Sequence, residues 1–363
     1  MLTPPFPVEP GVRKIAVLRA NGLGDFIFAL PALAALRAAY PEAEITLLGL
    51  PWHAAFLRGR PAPVDRVAVV PPSRGIYEPG GTADDPAAQE AFFAAMRRER
   101  FDVALQMHGS GRNSNPFLRR LGARLTAGLR GPDAPPLDRW VPYIFYQPEV
   151  VRYLEVAALV GAAAVSLEPR LAVTEADLRE SRAVVPEDGR PLAVLHPGAS
   201  DPRRRWPPER FAAVGNALAA AGARVVVTGT AEEAGLTRAV TAAMRREVVD
   251  AAARLSLGGL AGLLARCAVV VANDTGPLHL ALAVGTASVG VYWCGNVITA
   301  APPTRARHRP AISWRLACPR CGLDCTRARC DHRDSFVADV PAAEVTAAAL
   351  ELLRAESGLP AGS

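Results

Sequence analysis

The chain has 363 residues, of which 50% are hydrophobic and 21% charged, and it carries a formal net charge of +6. That composition is ordinary for a soluble globular protein, and the length excludes a single small core and predicts two domains. The positive charge favours anionic partners such as nucleotides and phosphates. It does not require nucleic acid, which we do not expect as a partner.

The first residues, MLTPPFPVEPGVRK, lack the charged segment and apolar core of a secretory signal. The longest uncharged run, 275–304, contains proline, glycine and asparagine, and we interpret it as helix, turn and buried strand rather than a membrane span. We therefore expect a cytoplasmic protein. Peripheral contact with the inner face of the cell membrane stays open.

The first half of the chain alternates predicted strands and helices. An apolar strand at 14–18 runs into a glycine-containing turn and a helix over 26–39. Further elements are predicted as strands at 44–48, 66–70 and 101–105 and a helix at 86–98. This alternation favours a parallel sheet covered by helices on both faces.

The pattern restarts in the second half with a buried strand at 191–195. Helices follow at 208–221, 231–246 and 277–284, and strands at 224–228, 267–272 and 286–292. We therefore predict an α/β protein of two doubly wound, Rossmann-like domains that face a central cleft, 1–175 and 176–363. In such sheets ligands bind beyond the carboxyl ends of the strands.

The loop after the first strand contains Gly22, Gly24 and Asp25. The two glycines allow a sharp turn and a close approach to a ligand. Asp25 stands at the start of a helix, where it either faces the cleft or serves as the helix N-cap. The third glycine of the dinucleotide-binding fingerprint is absent.

The segment 273–279 joins a buried strand to a helix, whose N–H groups and positive dipole end suit a diphosphate. The Thr275 hydroxyl and His279 can reach phosphate beside Gly276. Asp274 either caps the helix or accepts hydrogen bonds from ligand hydroxyls. The alternative is that these residues only cap the helix and pack internally.

A third loop, 196–206, places Ser200 and Arg204 after the first strand of the second half. A small hydroxyl beside arginines suits a phosphate group. The alternative is a solvated basic turn.

Together these three loops resemble glycosyltransferase family 9, the ADP-heptose:lipopolysaccharide heptosyltransferases. The matching segments are 15–25, 196–200 with 204–207, and 273–279. The resemblance implies a GT-B fold with an acceptor-binding domain, 1–175, and a nucleotide-sugar-binding domain, 176–363. The second domain would carry the Cys-rich segment 318–332 and a terminal helix.

The resemblance also implies an inverting, metal-independent transfer of heptose from ADP-heptose to a hydroxyl of a glycan, glycolipid or small-molecule acceptor. Asp25 matches the family's catalytic base. Arg204 stands where the family often has lysine, which keeps the charge and changes the geometry. Glu232 or Glu233 matches a ribose-binding position. The implied donor-binding set is Gly22, Gly24, Ser200, Arg204, Glu232, Leu255, Asp274, Thr275, Gly276 and His279.

Four cysteines, Cys318, Cys321, Cys325 and Cys330, lie close together and are followed by His332. Four thiolates, or three with the imidazole, are a ligand set for a structural zinc ion. The spacing also resembles a compact iron–sulfur loop, and a segment without metal is the remaining alternative. No cofactor is expected for catalysis.

Two other functions fit parts of the pattern. An NAD-dependent sugar-nucleotide oxidoreductase or epimerase is disfavoured by the incomplete glycine fingerprint and by the lack of a Tyr-x-x-x-Lys pair. A non-catalytic sugar-nucleotide-binding or metal-binding regulatory protein is disfavoured by the presence of Asp25.

Overall fold

The computed structural model describes residues 4–81 and 84–357. It divides into two compact units, Met1–Leu171 and Ala172–Ser363, whereas the sequence pattern placed the boundary between residues 175 and 176. The boundary comes earlier because helix Glu175–Val184 belongs to the second unit. Its Glu180 carboxylate accepts hydrogen bonds from the N–H and the hydroxyl of Ser256.

The first unit contains a parallel sheet in the strand order β3-β2-β1-β4-β5-β6. Its strands are β1 (Lys14–Leu18), β2 (Glu44–Gly49), β3 (Arg66–Val69), β4 (Val103–Gln106), β5 (Leu125–Arg130) and β6 (Arg139–Pro142). Its helices are α1 (Leu23–Ala39), α2 (Pro51–Leu57), α3 (Pro86–Glu99), α4 (Ser114–Arg119) and α5 (Glu149–Ala158), with a 3₁₀ turn at Pro79–Gly81. Strand order reverses direction between β1 and β4, which is where such sheets bind ligands.

The second unit repeats this plan in the order β12-β11-β10-β7-β8-β9, again with parallel neighbours. Its strands are β7 (Leu192–His196), β8 (Arg224–Val227), β9 (Val248–Asp250), β10 (Cys267–Asn273), β11 (Ser288–Trp293) and β12 (His308–Ser313). Its helices are α6 (Glu175–Val184), α7 (Pro208–Ala220), α8 (Ala234–Ala243), α9 (Leu257–Ala265), α10 (Gly276–Ala283), α11 (Cys294–Ala300) and α12 (Ala342–Ser357), with a 3₁₀ turn at Pro202–Arg204. In this sheet the strand order reverses direction between β7 and β10.

The central strands are apolar because helices cover both faces of each sheet. Every residue of β4 is buried, as are the last four residues of β1. In β7 and β10 the alternating valines, leucines and alanines pack against α7 and α12. None of the helices in the described residues combines the length and apolar composition needed to cross a membrane.

Candidate active site

The first candidate site lies at the carboxyl end of β1, where α1 begins. Gly22 is the N-cap of α1 with φ −71°, and Gly24 lies in the first helical turn. The glycines therefore do not make the sharp, glycine-specific turn that the sequence predicted. Asp25 is the third residue of the helix rather than its N-cap, and its Oδ2 accepts a hydrogen bond from the N–H of Gly22 at 3.2 Å.

Asp25 is also held by Arg19, a residue that no sequence motif had indicated. Nη2 of Arg19 donates to Oδ1 of Asp25 at 2.9 Å, and Nε donates to the Asp25 carbonyl oxygen at 2.9 Å. Nη1 donates to the carbonyl oxygen of Met107 beyond β4 at 2.8 Å. Arg19 is 2% exposed, whereas the Asp25 side chain is 44% exposed. The buried guanidinium thus fixes a carboxylate that solvent can reach.

Further polar side chains surround Arg19. Glu149 of α5 lies 3.4 Å from its Nη2, and the Tyr153 ring lies 4.5 Å beneath the guanidinium. Burial, helped by the charge of Arg19, lowers the pKa of His53 to about 3 and that of His108 to about 4. Both imidazoles are therefore neutral at physiological pH and add no second positive charge beside Arg19.

The second candidate site lies at the carboxyl end of β10. Thr275, not Asp274, is the N-cap of α10. Asp274 is 2% exposed; its Oδ2 accepts from Nη1 of Arg204 at 3.1 Å, and its Oδ1 lies 3.1 Å from Nε2 of His279. Burial alone would raise the pKa of Asp274, but hydrogen bonding from His279 and the charge of Arg204 outweigh it and hold that pKa below its ordinary value. Asp274 therefore orients two neighbours rather than facing a ligand.

The loop 196–206 is fastened to the same end of β10. Nδ2 of Asn273 donates to the carbonyl oxygen of Pro197 at 2.8 Å, and its Oδ1 accepts from the N–H of Trp206 at 3.0 Å. Nη2 of Arg204 donates to the Ser200 hydroxyl at 3.0 Å. The structure thus brings Ser200 and Arg204 to the strand end that carries the 273–279 segment.

The start of α10 offers fewer backbone donors than the sequence analysis expected. The N–H groups of Leu278 and His279 already bond to the Thr275 carbonyl oxygen, and Pro277 has none. A diphosphate at this edge would therefore depend mainly on the side chains of Arg204 and Thr275, with the helix dipole adding to them.

Of the two adjacent glutamates, the structure places Glu233 at this edge. Its Oε2 accepts from the N–H of Thr230 at 2.9 Å and lies 3.8 Å from Nε2 of His196. A Cβ at Gly198 would lie only 2.1 Å from its Oε1, so a larger residue there would displace the Glu233 carboxylate. Glu232 is exposed. Leu255 is half-buried between β9 and α9.

These arrangements can be compared with known proteins. The profile of "Glycosyltransferase family 9 (heptosyltransferase)" matches residues 90–311, more than half of the chain. The chain belongs to glycosyltransferase family 9. It is 26% identical over 306 residues to lipopolysaccharide heptosyltransferase 2 of Salmonella typhimurium, covering 77% of this chain and 82% of the relative.

Solved structures resemble the family 9 chain along most of its length. The ADP-heptose LPS heptosyltransferase II of E. coli superposes with a TM-score of 0.74 at 22% identity and covers 95% of this chain and 99% of its own. A family 9 glycosyltransferase of Veillonella parvula gives a TM-score of 0.74 at 21% identity, with coverages of 94% and 97%. The predictions of a GT-B fold and of a glycosyltransferase enzyme are confirmed.

The second unit also brings together four side chains of the kinds that bind metal ions. One ligand atom from each of Cys318, Cys321, Cys330 and His332 lies within 4.8 Å of all the others. Cys325 is not in this group, and its Sγ instead lies 3.4 Å from the Leu323 carbonyl oxygen. Of the two ligand sets that the spacing left open, the structure assembles the one with three cysteines and the histidine.

Proposed function

We propose that this glycosyltransferase transfers heptose from ADP-heptose, with inversion and without a catalytic metal, to a hydroxyl of a lipopolysaccharide core acceptor. The observation that carries the proposal is the Asp25 carboxylate, solvent-accessible yet fixed by Arg19 and by the Gly22 N–H. Relatives described as lipopolysaccharide and ADP-heptose heptosyltransferases support the donor and the acceptor class.

The proposed reaction needs one base. The Asp25 carboxylate takes the proton of the acceptor hydroxyl while that oxygen forms a bond to the anomeric carbon. The bond from the anomeric carbon to the diphosphate breaks from the opposite face, and ADP leaves with the electron pair. Because a single displacement occurs, the configuration at the anomeric carbon inverts.

The second unit is proposed to hold the donor. Arg204 is bonded to Ser200 on one side and to Asp274 on the other, so its charge is fixed before a ligand arrives. A preorganised cation stabilises the negative charge that develops on the leaving diphosphate. The Thr275 hydroxyl and Gly276 contribute to the same seat. In this scheme, the first unit supplies the base and the acceptor site, and the second unit supplies the donor site.

Glu233 is the better candidate to bind the nucleoside ribose than Glu232, because its side chain lies against the loop 196–198 while that of Glu232 is exposed. A carboxylate in this position can accept hydrogen bonds from two ribose hydroxyls. We place Leu255 near the adenine by family resemblance.

A lipid-linked acceptor is supported by an apolar loop in the first unit. Ile144 and Phe145 are 53% and 63% exposed between β6 and α5. The buried Arg152 side chain holds this loop in place, because its Nη2 donates to the carbonyl oxygens of both residues at 2.7 and 2.9 Å. Exposed aromatic and aliphatic side chains on a fixed loop suit contact with the lipid part of an acceptor at a membrane surface.

Calorimetric titration with ADP-heptose, UDP-glucose and dTDP-glucose tests the donor assignment. We expect ADP-heptose to bind most tightly, and Arg204→Ala to weaken it by about tenfold to a hundredfold because a charge-assisted contact is worth about 1.5–3 kcal/mol. Arg238→Ala, in α8, serves as a control. Preference for another nucleotide, or equal binding by both variants, would refute the proposed donor site.

A further inference from the structure

The stretch between β12 and α12 folds without regular secondary structure. In residues 314–341, all of them described, the backbone forms only turns and one isolated bridge, between Ala317 and Asp324. The apolar side chains of Trp314, Leu316 and Leu323 are 69%, 52% and 37% exposed. Val337 and Val340, at the end of the stretch, join the core of the second unit, but of residues 314–335 only Cys318 is buried. That part of the chain needs another source of order, such as a metal ion bound by its side chains.

We propose that Cys318, Cys321, Cys330 and His332 bind one thiophilic divalent metal ion, Zn²⁺ or Fe²⁺, in a tetrahedral site. This site would brace the donor-binding loop, residues 196–206, by fixing the chain that is hydrogen-bonded to it. Tetrahedral bonds of about 2.3 Å to sulfur and about 2.0 Å to nitrogen separate neighbouring ligand atoms by about 3.6–3.8 Å. Sγ of Cys318 lies 3.7 Å from Nδ1 of His332. All four ligand atoms lie within 4.8 Å of one another.

The backbone turns tightly around the first two cysteines. The N–H of Gly322 donates to the Cys318 carbonyl oxygen at 3.0 Å, and the N–H of Cys318 donates to the Leu323 carbonyl oxygen at 2.8 Å. Gly322 takes a φ of +74°, a conformation that favours glycine and lets the chain turn around the sulfurs.

The same segment is fastened to the loop that carries Arg204. The N–H of Phe336 donates to the Arg203 carbonyl oxygen at 2.7 Å. The Ser335 hydroxyl donates to the Arg205 carbonyl oxygen at 2.6 Å. These two bonds hold the residues on either side of Arg204. The nearer donor, Ser335, lies three residues after His332. A cavity of about 810 Å³ between the segment and the loop is lined by Ser200, Asp201, Arg203, Cys330 and His332.

The metal would therefore act as a positioning device. Fixing Cys330 and His332 fixes Ser335 and Phe336, and through them the direction in which Arg204 approaches Asp274 and Ser200. Loss of the metal should loosen this loop and weaken diphosphate binding without removing any group that touches the ligand. The bracing role rests on the proposed donor site, whereas the metal site itself does not.

Metal analysis by mass spectrometry of the protein purified without a histidine tag tests the site. We expect about one equivalent of zinc or iron per chain in the wild type and in Cys325→Ser, and at least a tenfold reduction in Cys321→Ser after dialysis against a chelator. The wild type without metal, or equal loss in both variants, would overturn the site.

Calorimetric titration with ADP tests the brace. Cys321→Ser should weaken ADP binding by about tenfold, and Cys325→Ser should stay within twofold of the wild type. If Cys321→Ser does not fold, chelator-stripped wild type should show the same loss, restored by adding the metal. Unchanged ADP affinity after stripping would refute the brace. A metal-loaded wild type that binds no ADP would refute the donor site and leave the metal site standing.

Discussion

Arg19→Lys is the variant whose effect can be worked out most fully from the structure. Lysine keeps the positive charge, but its single ammonium group cannot replace the three guanidinium nitrogens that donate here. Two of the three hydrogen bonds to Asp25 and Met107 are therefore lost. Each hydrogen bond from a charged donor contributes about 1.5–3 kcal/mol. Because the Asp25 side chain is 44% exposed, water screens the hydrogen bond to its carboxylate and lowers the contribution of that bond. We therefore expect the free energy of unfolding to fall by about 3 kcal/mol.

Transfer should suffer as well as stability. With Arg19 shortened, the Asp25 carboxylate keeps only the Gly22 N–H as a fixed partner, and misplacement worth about 1.4 kcal/mol lowers the rate tenfold. Urea unfolding and steady-state transfer kinetics measure the two effects, with Arg98→Lys, an exposed arginine of α3, as the matched control. An Arg19→Lys enzyme that matched this control in both assays would show that the Arg19 guanidinium does not position Asp25.

Three further predictions follow from the described contacts. Asp274→Asn should weaken ADP binding about tenfold in calorimetry, because Arg204 loses its buried anionic partner while the side-chain volume is kept; unchanged affinity would exclude this positioning role. Burial lowers the folded-state pKa values of His53 and His308 to about 3, below the ~6.5 of the unfolded chain. Only the unfolded state therefore takes up these protons between pH ~6.5 and ~3, so each histidine should reduce the free energy of unfolding by about 1.4 kcal/mol per pH unit as the pH falls through that range. Urea denaturation at pH 7, 6 and 5 measures this, and a flat profile would contradict it. Phe145→Asp should reduce sedimentation with anionic lipid vesicles several-fold while leaving ADP affinity unchanged; equal sedimentation would remove the loop as a lipid contact.

The strand-end motifs were predictable because buried parallel strands leave long apolar runs that end in polar residues. The strands at 14–18, 267–273 and their neighbours follow that pattern, and the family and fold predictions depend on them. Two edge strands, β6 and β9, were missed for the opposite reason. In β6, Arg139–Pro142, burial alternates between half-buried and exposed residues, and β9, Val248–Asp250, has only three half-buried residues.

The contacts of individual side chains were harder to predict, because they depend on tertiary packing. Arg19 lies directly after β1, and a charged residue that ends a buried strand could have signalled its role. Nothing in the local sequence separates Glu232 from Glu233. The turn before α8 directs only the second toward His196. Likewise, spacing alone left Cys325 and His332 as equivalent fourth ligands, and the turns between residues 318 and 332 distinguish them.

Sugar transfer by Asp25→Asn shows whether Asp25 is the catalytic base. Asparagine keeps the shape of the side chain and its contact with Arg19 but cannot take the acceptor proton. We expect ADP-heptose affinity within twofold of the wild type and a transfer rate reduced by about 10²–10⁴-fold, the usual contribution of a general base. Asp133→Asn, at an exposed site in the same unit, should leave both unchanged. Transfer by Asp25→Asn within tenfold of the wild-type rate would exclude Asp25 as the base.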